Sequence, residues 1–179
     1  SGSDDKSVKL WDAQTGRLIR TLRGHTALID SVVFNSSGTL VASAGRDKTI
    51  KIWDSETGVI KKTLSGHRSG VKCLAFSADG RSIASGSFDR TVKVWDVSRG
   101  KLKFTFNGKN GAFLAVAFSA DGKSVLSGSA DGILAVWDAE SGKLKTQWQV
   151  KSGCYSMNIC CNGTKVLCGG GNGVIQMWD

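Results

Sequence analysis

Apolar positions along the 179-residue chain come in short runs closed off by Gly, Ser or Asp. Within 55–96 the runs are VIKKTL, VKCLAF, SIASGS and TVKVWD, each rich in β-branched residues. Runs of that length and composition predict strands. The breaks between them carry turn chemistry. Ala78-Asp79-Gly80 and Ala120-Asp121-Gly122 put glycine where a tight hairpin needs positive φ, and Asn162-Gly163 does the same later in the chain. The pattern therefore predicts an all-β protein of antiparallel strands. No apolar run approaches the roughly 18 residues needed to cross a bilayer.

The strands recur with a fixed period. Trp-Asp stands at Trp11-Asp12, Trp53-Asp54, Trp95-Asp96, Trp137-Asp138 and Trp178-Asp179, at spacings of 42, 42, 42 and 41 residues. SAGRDKTIKIWD, SGSFDRTVKVWD and SGSADGILAVWD align without gaps, and SGSDDKSVKLWD at the start matches them. SVVFNSSGTLVAS, CLAFSADGRSIAS and AVAFSADGKSVLS align upstream, and Gly24-His25 and Gly66-His67 share a position occupied in the third unit by Gly108-Lys109. Four short antiparallel strands per unit of about 42 residues is the geometry of a β-propeller blade. The chain divides into a partial blade at 1–12 and repeats at 13–54, 55–96, 97–138 and 139–179, that is, four repeats plus the tail of a fifth. Because it begins and ends within a blade, it is expected to belong to a longer propeller or to a multi-subunit complex.

At these residues the sequence resembles the WD-repeat family over its whole length. The resemblance implies a structural tetrad within each blade: His25, Ser43, Asp47 and Trp53 in the first full unit, and His67, Ser85, Asp89 and Trp95 in the second. Chemically this is sensible, since a buried imidazole needs a partner at each ring nitrogen and a buried indole N–H needs an acceptor. The third unit keeps Ser127, Asp131 and Trp137 but has Lys109 in place of histidine. An ammonium only donates and resists burial, so Asp131 is expected to face solvent or Lys109. The fourth has Cys168, Asn172 and Trp178 at the serine, aspartate and tryptophan positions. The last two blades are thus expected to be less rigid than the others.

Composition changes the picture in three places. Glycine is abundant at 23 residues and proline is absent, so the turns rely on glycine after Asp or Asn. The net charge of +9 invites an acidic partner. Much of that charge, however, lies on the outermost strands, at Arg17, Arg20 and Arg23, Lys61 and Lys62, Lys101 and Lys103, and Lys143 and Lys145. Lysine on a sheet edge discourages edge-to-edge pairing, which accounts for it without a ligand. The five cysteines, Cys73, Cys154, Cys160, Cys161 and Cys168, contain no C-x-x-C pair, and the four in the last forty residues alternate with apolar positions, so they read as reduced structural thiols with no metal site. Ser1–Asp12 lack the basic start and apolar stretch of a secretory leader. An intracellular protein, of cytoplasm or nucleus, is expected.

Catalysis finds no residues to carry it. Both histidines are taken by tetrads, and Cys168-Gly169-Gly170-Gly171-Asn172-Gly173 lacks the Lys-Ser/Thr ending of a phosphate-binding loop. No cofactor is expected. The remaining reading is a protein–protein interaction scaffold, since loops on a rigid frame are where binding residues gather. The family resemblance implies a partner-binding face at Arg46, Phe88 and Ala130, just before the tetrad aspartate. It also implies contacts at Leu28 with Asp30, Gly70 with Lys72, and Ala112 with Leu114, and offers Tyr155 and Gly171 in the last unit. Phe88 with Arg46 and Lys72 would suit an acidic or phosphorylated peptide. The alternative is a subunit that contacts nucleic acid or acidic lipid through its basic surface. Trp148 is expected to pack.

Overall fold

A computed structural model describes residues 1–150, 153–160, 165–171 and 173–178, and every regular element among them is a strand. Strands β1 (Ser7–Trp11) and β2 (Leu18–Arg23) form a hairpin. Three four-stranded antiparallel blades follow. The first holds β3 (Ile29–Phe34), β4 (Leu40–Gly45), β5 (Thr49–Asp54) and β6 (Ile60–Ser65). The second holds β7 (Val71–Phe76), β8 (Ser82–Ser87), β9 (Thr91–Asp96) and β10 (Lys101–Asn107). The third holds β11 (Phe113–Phe118), β12 (Ser124–Ser129), β13 (Ile133–Asp138) and β14 (Leu144–Gln149). Strands β15 (Cys154–Cys160), β16 (Lys165–Gly170) and β17 (Ile175–Trp178) form a three-stranded sheet, the fourth after the β1–β2 hairpin.

Each blade is offset from the sequence unit by one strand. The four runs in 55–96 do not share a sheet: VIKKTL closes the first blade as β6, and β7, β8 and β9 are completed by β10. The cause is the turn after each Trp-Asp. The Asp54 carboxylate accepts the backbone N–H and hydroxyl of Thr57 at 2.8 and 2.9 Å, and Gly58 follows with φ of 76°. This tight local turn sends the chain straight back along the strand it left, so Trp53 faces Ile60. The segment between β6 and β7, which holds His67, then carries the chain to the innermost edge of the next blade.

Burial follows from that path. The second strands β4, β8 and β12 are buried along nearly their whole length, whereas β6 and β14 are largely exposed. The core lies between blades. Ile50, Ile52 and Leu64 of the first blade pack with Val71, Leu74, Ile83 and Trp95 of the second. Each such aliphatic side chain contributes roughly 1.5–3 kcal/mol when fully buried. One contact recurs at every junction, between an outer-strand residue and the tryptophan of the following sheet. Leu22 shares a cluster with Trp53, and Leu64 shares one with Trp95. Phe106 stacks on Trp137 at 4.7 Å and 9°, and Trp148 meets Trp178 at 6.3 Å and 55°. Trp148 therefore packs between sheets. Lys61, Lys62, Lys101, Lys103 and Lys145 on the outer strands, and Lys143 just before β14, are all exposed. Cys73, Cys154 and Cys168 carry free thiols, and burial pushes that of Cys73 up to about 12. The Cys160 side chain, Cys161, Asn162-Gly163, Asn172 and Asp179 lie outside the described residues.

Candidate interaction face and the hydrogen-bonded tetrads

In the first blade His25 sits on the loop between β2 and β3 and reaches β4 and the β4–β5 turn. Its Nδ1 lies 2.7 Å from Asp47 Oδ2 and its Nε2 lies 2.7 Å from Ser43 Oγ. Trp53 Nε1 donates to the same Ser43 oxygen at 2.7 Å. In the second blade the matching distances are 2.8 Å from His67 to Asp89, 2.8 Å from His67 to Ser85, and 2.8 Å from Trp95 to Ser85. One proton assignment satisfies all four groups: Trp donates to Ser, Ser donates to His Nε2, and His Nδ1–H donates to the carboxylate. That assignment requires neutral imidazoles. Burial lowers the pKa of both histidines by more than the facing aspartates raise it, and Lys51 and Lys93 add to the lowering.

The aspartates are held by their own turns. Burial alone would raise Asp89, but the Thr91 hydroxyl, the Arg68 backbone N–H and His67 outweigh it and hold the carboxyl at about 2. Asp47 is lowered in the same way, its burial outweighed by His25, the Thr26 backbone N–H and Thr49. Each aspartate is followed by a residue at positive φ, Lys48 at 68° and Arg90 at 66°, which folds the threonine back onto it.

The set thins along the chain. In the third blade Trp137 Nε1 still donates to Ser127 Oγ, at 2.9 Å. Asp131 corrects the expectation that it faces solvent or Lys109: it is half-buried and accepts the Ser129 hydroxyl. The threonine that embraces the other aspartates is Ile133 here, so the carboxylate turns to the nearest hydroxyl left. Lys109 is exposed. In the fourth sheet, with Cys168 at the serine position, the buried Trp178 Nε1 has no hydrogen-bond partner among the described residues.

The residues of the candidate face come together across the first two blades. Arg46, on the β4–β5 turn, places its guanidinium carbon 4.3 Å from the ring centroid of Phe88, on the β8–β9 turn. Gly70 lies between them; a Cβ there would meet Arg46 Cδ at 3.0 Å and Phe88 Cδ2 at 3.5 Å, so it acts as a spacer under the arginine stem. Asp30 on β3 pairs with Arg46 Nε at 2.7 Å and with Lys72 Nζ at 2.9 Å. The Asp30 side chain is 5% exposed, against 48% for Arg46 and 36% for Lys72. A buried carboxylate thus orients two accessible cations beside an aromatic ring. Leu28 is half-buried nearby in sequence. Leu114 departs from the expectation: it is 8% exposed and belongs to the core, an aliphatic side chain at the register where the first two blades have the ion-paired Asp30 and Lys72. Tyr155 is exposed and lies away from this cluster, with its ring over Gly171.

The sequence reading missed the lysines inside the blades. Lys93, buried on β9, donates to Thr105 Oγ1 at 2.9 Å across the β9–β10 pair, and Lys51 approaches Thr63 in the same way at 3.4 Å. The signal was present as a lysine and a threonine each repeating at the 42-residue period. Among the described residues no group of three or more His, Cys, Asp or Glu is placed to hold a metal.

The family model described as WD domain, G-beta repeat, matches residues 16–54, 58–96 and 100–138, more than half of the chain. Nuclear distribution protein PAC1 of Arthroderma benhamiae is 49% identical over 45 residues, which is 25% of this chain and 10% of that protein. PAC1 of Coprinopsis cinerea is 53% identical over 38 residues, covering 21% and 9%. The periodic tryptophan protein 2 homolog of Schizosaccharomyces pombe is 48% identical over 44 residues, covering 24% and 5%. The matches thus span a tenth or less of the length of these relatives. With its repeated blades, its Trp–Ser–His–Asp chains and these three matched segments, the chain belongs to the WD-repeat family.

Proposed function

We propose that the chain is a non-catalytic interaction scaffold whose loop face, bearing Asp30, Arg46, Lys72 and Phe88, binds partner proteins or peptides, in particular acidic or phosphorylated ones. WD repeats generally mediate protein–protein interactions and are typically not catalysts. The observation that carries the reading is the Arg46 guanidinium, held between Asp30 and Phe88 while remaining 48% exposed. A side chain fixed before binding loses less freedom on binding. Asp30 engages the Nε side, which leaves the terminal nitrogens free to fork onto a carboxylate or phosphate. Phe88 adds the kind of aromatic anchor that dominates interface energetics. One relative is named a nuclear distribution protein, which supports an intracellular setting.

The test is affinity capture with Phe88→Ala and Arg46→Glu proteins whose circular dichroism matches the parent. Loss of one set of partners from both variants is the expected result. If both retain every partner, the face is wrong. Capture of nucleic acid instead, weakening steeply with salt but indifferent to Phe88, would favour the basic outer strands as the binding surface.

A further inference from the structure

We infer that the second blade carries a binding site for a small oxyanion of the phosphate class, built around the buried Lys93. A cavity of about 300 Å³ lies there, bordered by Arg68, Asp89, Thr91, Lys93, Thr105 and Asn107, and no apolar side chain borders it. Lys93 supplies the first charge and is only 8% exposed. Its Nζ donates to Thr105 Oγ1 at 2.9 Å, and among the described residues no carboxylate stands within ion-pair distance of it. An ammonium has three N–H donors, so two are left for a ligand. A buried charge without a counter-ion is costly, and an anion that reaches it recovers part of that cost. Thr105 accepts from Lys93, which leaves its own hydroxyl hydrogen free to donate.

Arg68 supplies the second charge. Its side chain is exposed and forms no ion pair among the described residues, while its backbone N–H is fixed on Asp89 at 2.8 Å. A guanidinium offers paired donors that match phosphate oxygens, and the Asn107 amide adds another donor. Asp89 does not close the site to anions. Its Oδ2 faces His67 and the Arg68 N–H, and its Oδ1 accepts the N–H and hydroxyl of Thr91. All its acceptor positions are thus engaged, and two cations stand against this one carboxylate. The neighbouring blades lack the set. At the matching register the first has Thr26 for Arg68, and its Lys51 is less buried and approaches Thr63 only at 3.4 Å. The third has Asn110, Ala135 and Gln147 for Arg68, Lys93 and Thr105, and its cavity is walled by Phe113, Ile133 and Trp137. The same frame therefore encloses an apolar space in one blade and a cationic one in the other. Arg46 and Phe88 do not border the cavity, so this site is separate from the face proposed above. The oxyanion can arrive as free phosphate or on a phosphorylated side chain, and the two sources share this chemistry.

The experiment is an NMR titration of the ¹⁵N-labelled 179-residue chain with inorganic phosphate, the peptide Gly-phosphoserine-Gly and chloride, at constant ionic strength. Saturable shifts confined to 66–69, 89–93 and 105–107 are expected for at least one phosphate probe, with Kd of about a millimolar. Binding of the peptide identifies a site open to a partner's phosphorylated side chain; binding of inorganic phosphate alone identifies a small-molecule site. Arg68→Thr, which installs the residue of the first blade and keeps the backbone N–H on Asp89, should weaken binding about tenfold. Lys93→Met keeps the apolar stem without the ammonium and should abolish binding, and Arg68→Thr carries the test if Lys93→Met fails to fold. No saturable shifts from either phosphate probe, shifts spread over the outer strands instead, equal shifts from chloride, or unchanged binding in either folded variant would overturn the assignment.

Discussion

The second and third blades have the same frame and differ in what ties it. Both pair their middle strands in the same register, with Ser85 opposite Lys93 and Ser127 opposite Ala135. Both keep the bond from tryptophan to serine, at 2.8 and 2.9 Å. In the second blade the chain of bonds runs on through His67 to Asp89, so the loop entering β7 is tied to β8 and to the β8–β9 turn. In the third it stops at Ser127. The blade forms all the same. Apolar alternation and local turns are therefore sufficient for the sheet, and the tetrad acts on top of them as a clasp on the entering loop.

The largest effect should come from cutting the clasp where it is complete. His67→Ala removes a buried ring and leaves both Ser85 and the Asp89 carboxylate without it, a loss of about 3 kcal/mol. Lys109→Ala, at the same position of the third blade, touches only an exposed side chain and should change stability by less than about 0.5 kcal/mol. Urea denaturation of the two variants checks the pair. Equal costs would show that the third blade has a clasp of its own.

Much of this comparison was legible in the sequence, because the 42-residue period aligns equivalent positions and one substitution then reads against its neighbours. The strands, the hairpin glycines, the loss of histidine at Lys109 and the packing role of Trp148 all follow from that alignment. The offset of each blade by one strand did not, since the pattern marks strands but does not say which partner each takes; the local turn after Asp54 decides it. Asp131 was misjudged because its reorientation depends on Ile133, which replaces the threonine, together with the hydroxyl of Ser129 on its other side. The role of Asp30 as the common partner of Arg46 and Lys72 joins residues from two blades, which no local pattern reveals.

A smaller difference is expected at the serines. Ser85→Ala breaks two bonds, to His67 and to Trp95, and should cost about 2 kcal/mol. Ser127→Ala breaks one and should cost about 1 kcal/mol. A double-mutant cycle of Ser85→Ala with His67→Ala would measure the coupling, and additivity would deny the chain of bonds inferred here.

Acid should narrow the gap between the blades. At neutral pH the amides of β7–β9 are expected to exchange more slowly than those of β11–β13. His67 and His25 have pKa values lowered by burial, so the unfolded chain binds protons that the folded chain refuses. Stability is then lost as pH falls below the ordinary imidazole value of about 6.5. Asp89 acts in the same direction lower down: held at about 2, it contributes stability above the ordinary carboxyl value of about 3.9 that is lost as pH falls towards 2. Hydrogen exchange at pH 7.5 and 5.5 should therefore show protection falling in the first two blades and changing little in the third. Equal losses in all three would remove the histidines from the account.

The smallest effect is the one that separates binding from folding. Phe88→Ala gives the second blade the alanine that the third has at Ala130, and the third folds with it. The ring is half-buried under Arg46, so its removal forfeits a cation–π contact of about 0.5–1 kcal/mol and little packing. The Asp30 pair with Arg46 and Lys72 is independent of the ring and should persist. A thermal midpoint within a few degrees of the parent is the expected outcome, even where partner capture is lost. A cost near 2 kcal/mol or more would make Phe88 a core residue of the junction between the first two blades, and the difference between Phe88 and Ala130 would then belong to packing and not to recognition.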